Sequence, residues 1–157
     1  MSTLFDRTWF VSGTPVPWGR PRVDTRRGRI HWYERESVTR WRSHVRLLSR
    51  SQRPSTPLDG PIETSLVFLL PRTKRMKPGG RQLYYVQRKN DIDNLEKAVL
   101  DALDDDGWFG DDGQVCYGPA LKLYAGSEEK PGVFIRVRQI DEGMPIDELV
   151  KRMLGTV

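Results

Sequence analysis

The sequence predicts an α+β fold: a mixed β-sheet of about four to five strands with two main helices, in a single domain spanning residues 1–157. Three observations predict it. Residues Ile62 to Leu70 alternate at the strand period and end in a near-continuous apolar run. Two other stretches, Glu34 to Ser51 and Asp93 to Leu103, carry apolar residues three and four apart, the period of a helix. A length of 157 residues suits one domain with a real core, and no internal repeat or linker divides it.

Taken in order, Thr8 to Ser12 is the first strand, with Trp9 and Val11 alternating against Phe10. Gly13 to Arg22 contains three prolines and two glycines, which exclude regular structure there. Trp18 lies among them and reads as a plug at the core edge in preference to a base-stacking residue. Asp24 to Arg29 is a basic turn with Gly28 at its tip. In the first helix the inward stripe is Val38, Trp41, Val45 and Leu48, with Arg40, Arg42, Arg46 and Arg50 off it. Ile62 to Leu70 is expected to be central and two-sided, with Ile62, Thr64, Leu66, Phe68 and Leu70 on one face; Pro71 stops it.

Arg72 to Gln82, with Pro78-Gly79-Gly80, is a loop, and Leu83 to Val86 a short strand leading to the second helix. Gln114 to Ala125 is a strand interrupted at Gly118-Pro119. Val133 to Ile140 is the last strand. A short closing helix runs from Pro145 to Leu154, with the proline at its first position. Leu123 with Tyr124, and Ile146, Leu149 and Met153, are candidates for a subunit contact and equally for core.

Charged residues make up 30% of the chain against 37% hydrophobic, so a thin core under a heavily charged surface is expected. No apolar run approaches the roughly 20 residues of a membrane span. The start, MSTLFDRTWF, has no hydrophobic leader core. The single Cys116 excludes an internal disulfide and a cysteine zinc site, and His31 and His44 are too few for a histidine metal site. A cytoplasmic, reducing setting is expected, without membrane contact.

The net charge of +5 hides strong segregation. Arg20, Arg22, Arg26, Arg27 and Arg29 open one basic segment, which extends to Arg53 with only Asp24, Glu34 and Glu36 as acids. Arg72, Lys74, Arg75, Lys77, Arg81, Arg88 and Lys89 form a second with no acid. A lone charge run is ordinarily a solvated face. Two such runs flanking an acidic cluster point to a polyanion, most naturally nucleic acid, because the arginine fork suits phosphate oxygens.

The acidic cluster is Asp91 to Val115, DIDNLEKAVLDALDDDGWFGDDGQV, where nine acids meet a single base, Lys97. Crowded carboxylates repel, so such a cluster either splays into water or holds a cation, with Mg²⁺ the usual hard-oxygen partner. Asp93 is expected at the N-cap of the second helix with Glu96 three residues on, and Asp91 just before it. Lys97 follows Asp93 by one turn. A strand beginning at Asp112 puts Asp112 and Gln114 on one face, from which Asp112 can return to Asp91 and Asp93.

Each residue also has an ordinary reading: Asp93 as a cap, Asp91 as a loop acid, Lys97 as half of a surface pair, Asp111 and Asp112 as turn residues. Together they are what metal-assisted phosphodiester hydrolysis requires: carboxylates to hold metal, and a lysine to answer charge growing on the phosphate. An EF-hand register fails at Ala102 and Gly113, and no P-loop or Ser/His/Asp arrangement is legible.

The DIDNLEKAVLDAL…DDGQV pattern resembles the RusA-type Holliday junction resolvases, whose signature is D-[IL]-D-N-L-x-K…LDAL…DD-x-Q-[VI]. Gly13-Thr14-Pro15-Val16-Pro17…Gly19-Arg20-Pro21-Arg22 is similar to the opening strand and loop of bacterial and phage members. The resemblance is dense over Lys89 to Val115 and looser from Trp9 to Arg22. It implies a RusA-like α+β homodimer that uses Mg²⁺ or Mn²⁺ to cut four-way DNA junctions by paired nicks, in recombination and repair. It carries metal ligation onto Asp91, Asp93 and Asp112 and a catalytic role onto Lys97, with supporting positions at Asn94 and Gln114. Two departures stand out: Asn90, where many members have proline or a base, and the acidic insert Asp104 to Phe109, expected to affect how closely DNA approaches. A structure-specific DNA-binding module without catalysis, and a metal-dependent flap or RNA nuclease, remain as alternatives, because phosphate chemistry is common to all three.

Overall fold

The computed structural model describes residues 4–26, 28–76, 83–87, 89–143 and 145–155. Its main sheet is built on β4 (Ile62–Leu70). On one side β4 pairs antiparallel with β7 (Gly132–Gln139), which pairs antiparallel with β1 (Asp6–Ser12) at the edge. On its other side β4 pairs in parallel with β5 (Val115–Tyr117) and then β6 (Ala120–Tyr124). The register shifts between Ile62 and Glu63, while Leu66 N–H still donates to Pro119 C=O at 2.9 Å. The expected break at Gly118-Pro119 therefore divides two short strands that share one edge. A parallel pair needs a long crossover, and α2 (Ile92–Asp105) supplies it.

Strand β4 is central, as its two-sided apolar end predicts. Ile62, Thr64, Leu66, Phe68 and Leu70 are all buried. All but Thr64 join Trp9, Val11, Val133, Ile135 and Val137 from the neighbouring strands, and the inner faces of α1 (Glu36–Ser49) and α2, in one hydrophobic cluster. Helix α1 buries Val38, Trp41 and Val45, but the expected fourth contact, Leu48, is 39% exposed. Ser49 faces inward instead, because its hydroxyl accepts the Trp9 indole N–H at 2.9 Å. At 3.6 residues per turn either position continues the stripe, and the polar partner decides between them.

Three other elements differ from expectation. Residues of the supposed irregular and turn region form a hairpin, β2 (Arg22–Asp24) with β3 (His31–Tyr33), separate from the main sheet. Leu83 to Val86 makes only one bridge, Tyr84 to Leu123, with Tyr124 N–H donating to Leu83 C=O at 2.8 Å. Pro145 caps α3 (Ile146–Leu154) from outside and is not its first residue. Of the residues read as subunit contact or core, Tyr124 is core, its ring 4.8 Å from that of Tyr85 and tilted 49° to it, whereas Ile146 and Met153 stand exposed on α3. Among the described residues there are three α-helices, two of them packed on the core. Among the described residues no helix is long and apolar enough to cross a membrane.

Candidate functional site

Helix α2 positions three of the four nominated catalytic residues: Asp91 at its N-cap, and Asp93 and Lys97 within it. Leu95, Ala98, Val99, Ala102 and Leu103 are fully buried and hold it on the sheet. Its N-cap is Asp91, in extended conformation and without a capping side-chain bond. The sequence pattern placed the cap at Asp93; the helix starts two residues earlier, because Ile92 already has helical geometry. Asp93 sits in the first turn, where the backbone dipole favours an anion. Asp91 keeps its carboxylate oxygens clear of the helix backbone.

The other end of α2 closes by a Schellman arrangement. Gly107 N–H donates to Asp104 C=O at 2.9 Å and Trp108 N–H to Leu103 C=O at 3.2 Å. Gly107 has φ +73°, which a residue with Cβ adopts only with strain. Trp108 then drops into the core, its ring 4.7 Å from Trp9.

The DDGQV segment does not start as a strand. Asp112–Gln114 is one 3₁₀ turn, capped by Asp111, whose Oδ1 accepts Gly113 N–H at 2.7 Å. Gln114 is the staple of this region. Its Oε1 accepts from the backbone N–H of Gly110 and Asp111, and its Nε2 donates to Leu58 and Gly60 C=O at 3.1 and 3.0 Å. So Gln114 fixes the turn to the loop before β4, and Asp112 is left exposed on it. Turn chemistry overrode strand alternation here: an Asx cap plus Gly113 stabilises a turn more than a solvent-facing strand start.

The acids near α2 divide into two sets. Those turned toward α1 are neutralised: Asp105 by Arg42, and buried Asp106 by Arg50 at 3.1 Å and Arg53 at 3.7 Å. Asp105 and Asp106 of the acidic insert thus face Arg42 of α1 and Arg50 and Arg53 just after it, and these pairs tie the two helices together. Lys97 Nζ lies 3.2 Å from Asp101 and 5.5 Å from the ring centre of Trp18. Trp18 packs against the core edge, as expected, and its N–H donates to Asn94 C=O at 2.8 Å. The second set forms no salt bridge among the described residues: Asp91, Asp93, Glu96, Asp104, Asp111 and Asp112.

This second set lies along the helix. Burial, and then Asp93, push the Glu96 carboxyl above its usual value. Glu96 leans over β5–β6, where a Cβ on Gly118 would meet its Oε1 at 2.8 Å. Asp104 is pushed up by burial, then by Asp112, Asp105, Asp111 and Asp101. Asp112 is therefore coupled to Asp104, which lies eleven residues, or about 16 Å of helix, beyond Asp93. Among the described residues no three His, Cys, Asp or Glu side chains gather into a metal-holding group. Asp93 with Glu96, and Asp112 with Asp104, are two carboxylate pairs along one helix.

The sign of the Asp104 shift yields a prediction. A carboxyl raised above 3.8 binds its proton more tightly in the folded state, so its contribution is present below that value and lost as pH rises through the folded pKa. Charged Asp104 is a net cost at neutral pH, and exposure keeps the cost small. Asp104→Asn is expected to stabilise the protein by roughly a few tenths of a kcal/mol at neutral pH. The gain should disappear by about pH 3. Urea midpoints of both proteins at the two pH values check this.

Of the basic candidates, Arg72 and Lys89 share a cleft with Asn90, just before α2. Arg20, Arg22, Arg26 and Arg29 are exposed on or beside the hairpin; Arg26 pairs loosely with Asp24 at 3.8 Å. Arg72 and Lys89 line a cleft of about 580 Å³ with Pro17, Arg35 and Asn90, and the Arg72 guanidinium lies 6.0 Å from the Tyr124 ring centre. Lys74 and Arg75 are exposed in a turn. Arg27, Lys77 and Arg88 lie outside the described residues. Two features escaped the sequence reading. The hairpin was signalled by Ile30 and Trp32 alternating with His31 and Tyr33 after Gly28. The lack of cationic partners for particular acids depends on contacts distant in sequence and had no local signal.

Comparison with known proteins identifies the family. One relative, described as "Uncharacterized protein YqaN" from Bacillus subtilis (strain 168), is 28% identical over 137 residues, covering 83% of this chain and 94% of its own length. The family described as Endodeoxyribonuclease RusA matches residues 12–138, from the end of β1 through β7 and including every nominated acid. The chain belongs to the RusA endodeoxyribonuclease family, whose activity is Holliday junction resolution.

Proposed function

We propose that this protein is a divalent-metal-dependent endonuclease that resolves four-way DNA junctions by paired, symmetric nicks, acting as a cytoplasmic homodimer of bacterial or phage origin. The observation that carries the reading is the set of carboxylates that form no salt bridge among the described residues, on a chain of net charge +5. In a protein this rich in arginine, acids that stay unpaired beside paired ones have a use for a cation other than a side chain. Their donor chemistry, hard carboxylate oxygen with no thiolate or imidazole among them, fits Mg²⁺ or Mn²⁺.

Asp91 and Asp93 at the start of α2 are the proposed ligands, with Asp112 as the third once the Asp112–Gln114 turn, which here sets Asp112 beside Asp104, moves toward the helix start; repulsion among the α2 acids is what a bound cation relieves. When bound, the metal supplies Lewis-acid stabilisation of the scissile phosphate and activation of water. Lys97 brings a positive charge one turn after Asp93; Asp101 and the Trp18 ring hold its ammonium in position. That charge opposes the negative charge that grows on the phosphate oxygens. Arg20, Arg22, Arg26, Arg29, Arg72, Lys74, Arg75 and Lys89 bind phosphates on either side, with Arg27, Lys77 and Arg88 of the same segments assigned from sequence alone. Two nicks related by symmetry require two copies of the site about a two-fold axis, hence the homodimer.

The test is cleavage of a synthetic four-way junction and of a linear duplex of the same sequence, with Mg²⁺, Mn²⁺ or EDTA. Symmetric nicks confined to the junction and abolished by EDTA are expected. Equal cutting of the duplex would keep the chemistry and discard resolution. Tight binding without cutting in either metal would leave a structure-specific binding protein.

A further inference from the structure

The β2–β3 hairpin stands apart from the main sheet and contributes nothing to the buried core cluster. Its large side chains face solvent: Ile30 is 71% exposed, Trp32 64%, Val23 44% and Tyr33 44%. A two-stranded ribbon alone is marginal in water. A tryptophan left this open keeps most of its burial free energy unrealised. Singly exposed apolar residues are ordinary, but here they adjoin one another. Cross-strand pairing sets Val23 beside Trp32 on one face. Arg22, Tyr33, Asp24 and His31 take the other face, where Asp24, His31 and Tyr33 line a cleft of about 390 Å³ with Arg29.

The rim of this ribbon is cationic. Arg20, Arg22, Arg26, Arg29 and Arg35 are exposed along it. Of the nearby acids, Glu34 is occupied by Arg42 at 3.1 Å and Asp24 faces Arg26. An exposed aromatic edged by arginines suits a partner with flat apolar faces and a phosphate backbone, which is nucleic acid. The ribbon's root also lies at the candidate site. The chain enters it just after Trp18, which is bonded to Asn94 in the first turn of α2 and covered by Lys97, and leaves it at Arg35, the N-cap of α1.

We propose that this hairpin reads the branch point of the DNA: Trp32, backed by Val23, stacks on a nucleobase that has lost a stacking neighbour where duplex arms diverge, while Arg22, Arg26 and Arg29 hold the adjoining phosphates. The proposal rests on the junction-resolving function above and assigns selectivity to a specific residue. In continuous duplex every base is covered on both faces, so Trp32 has nothing to stack on. At a branch an end face is open, and aromatic stacking on it is sequence-tolerant.

Equilibrium titrations in EDTA separate the possibilities, using wild type, Trp32→Ala and Trp32→Phe with a four-way junction and a linear duplex. Each DNA carries 2-aminopurine, in the junction beside the crossover. Trp32→Ala is expected to lose about tenfold in junction affinity, with duplex affinity within about twofold and an unchanged salt slope, because phosphate contacts remain. Trp32→Phe should keep most of the affinity. Wild type should change the 2-aminopurine emission in the junction, and Trp32→Ala should not. Thermal melting verifies that the variants fold, as expected for a residue outside the core. Junction binding by Trp32→Ala equal to wild type, or an equal loss on junction and duplex, would overturn the ribbon's role. A wild type with no preference for the junction would overturn the underlying function, and the ribbon's role with it.

Discussion

Asp93→Asn should cut four-way junctions at least about a hundredfold more slowly than wild type in saturating Mg²⁺, since a ligand's loss exceeds the 10–100-fold typical of the groups supporting ligands. The substitution keeps the side chain's shape and removes its charge. Asp93 is exposed in the first turn of α2 and forms no salt bridge, so the fold loses only a favourable dipole interaction, on the order of 0.5 kcal/mol. Junction affinity in EDTA should be unchanged or slightly tighter, because one negative charge leaves a site that faces phosphates. Loss of cleavage with retained binding separates chemistry from recognition. Wild-type cutting by this variant would remove Asp93 from the proposed ligand set.

Trp108→Ala has the largest expected effect on stability, about 3–5 kcal/mol, the range for truncating a buried tryptophan. Trp108 is fully buried, stacked on Trp9 at 4.7 Å and edge-on to Phe5 at 6.1 Å. It also packs beyond the Gly107 turn that ends α2, so its removal opens a cavity and loosens that helix end. Natural domains are stable by roughly 5–15 kcal/mol, so a large share would be lost. Trp108→Phe should cost less, because the indole N–H has no partner to lose. Urea unfolding of the three proteins measures the difference; an unchanged midpoint for Trp108→Ala would show that this corner of the core is not coupled to global unfolding.

These two residues mark how far local pattern reaches. The α2 stripe was legible because an amphipathic helix writes its period into consecutive residues, and Leu95, Ala98, Val99, Ala102 and Leu103 are buried as that period requires. Strand β4 was legible for the same reason. The exact helix start was not, since Asp91 and Asp93 are equally good capping residues and only backbone conformation distinguishes them. Asp112 was misread as part of a strand because alternation looks the same whether or not an Asx turn intervenes. The hairpin went unread because prolines, glycines and arginines obscured the short alternation on either side of Gly28.

By itself the sequence determined the α+β class, the central strand, the two packed helices, the opposed basic and acidic segments, and the signature that places the chain in its family. Those properties are local or compositional: periodicity, turn residues and charge act between neighbours in the chain. Only the tertiary structure decided which acids are neutralised. Arg42 of α1, and Arg50 and Arg53 just after it, reach Asp105 and Asp106 at the end of α2, Lys97 turns to Asp101 beside Trp18, and Asp91, Asp93 and Asp112 form no salt bridge among the described residues. Coulomb energy depends on separation in space and on the solvent between charges, and neither is contained in the order of the residues.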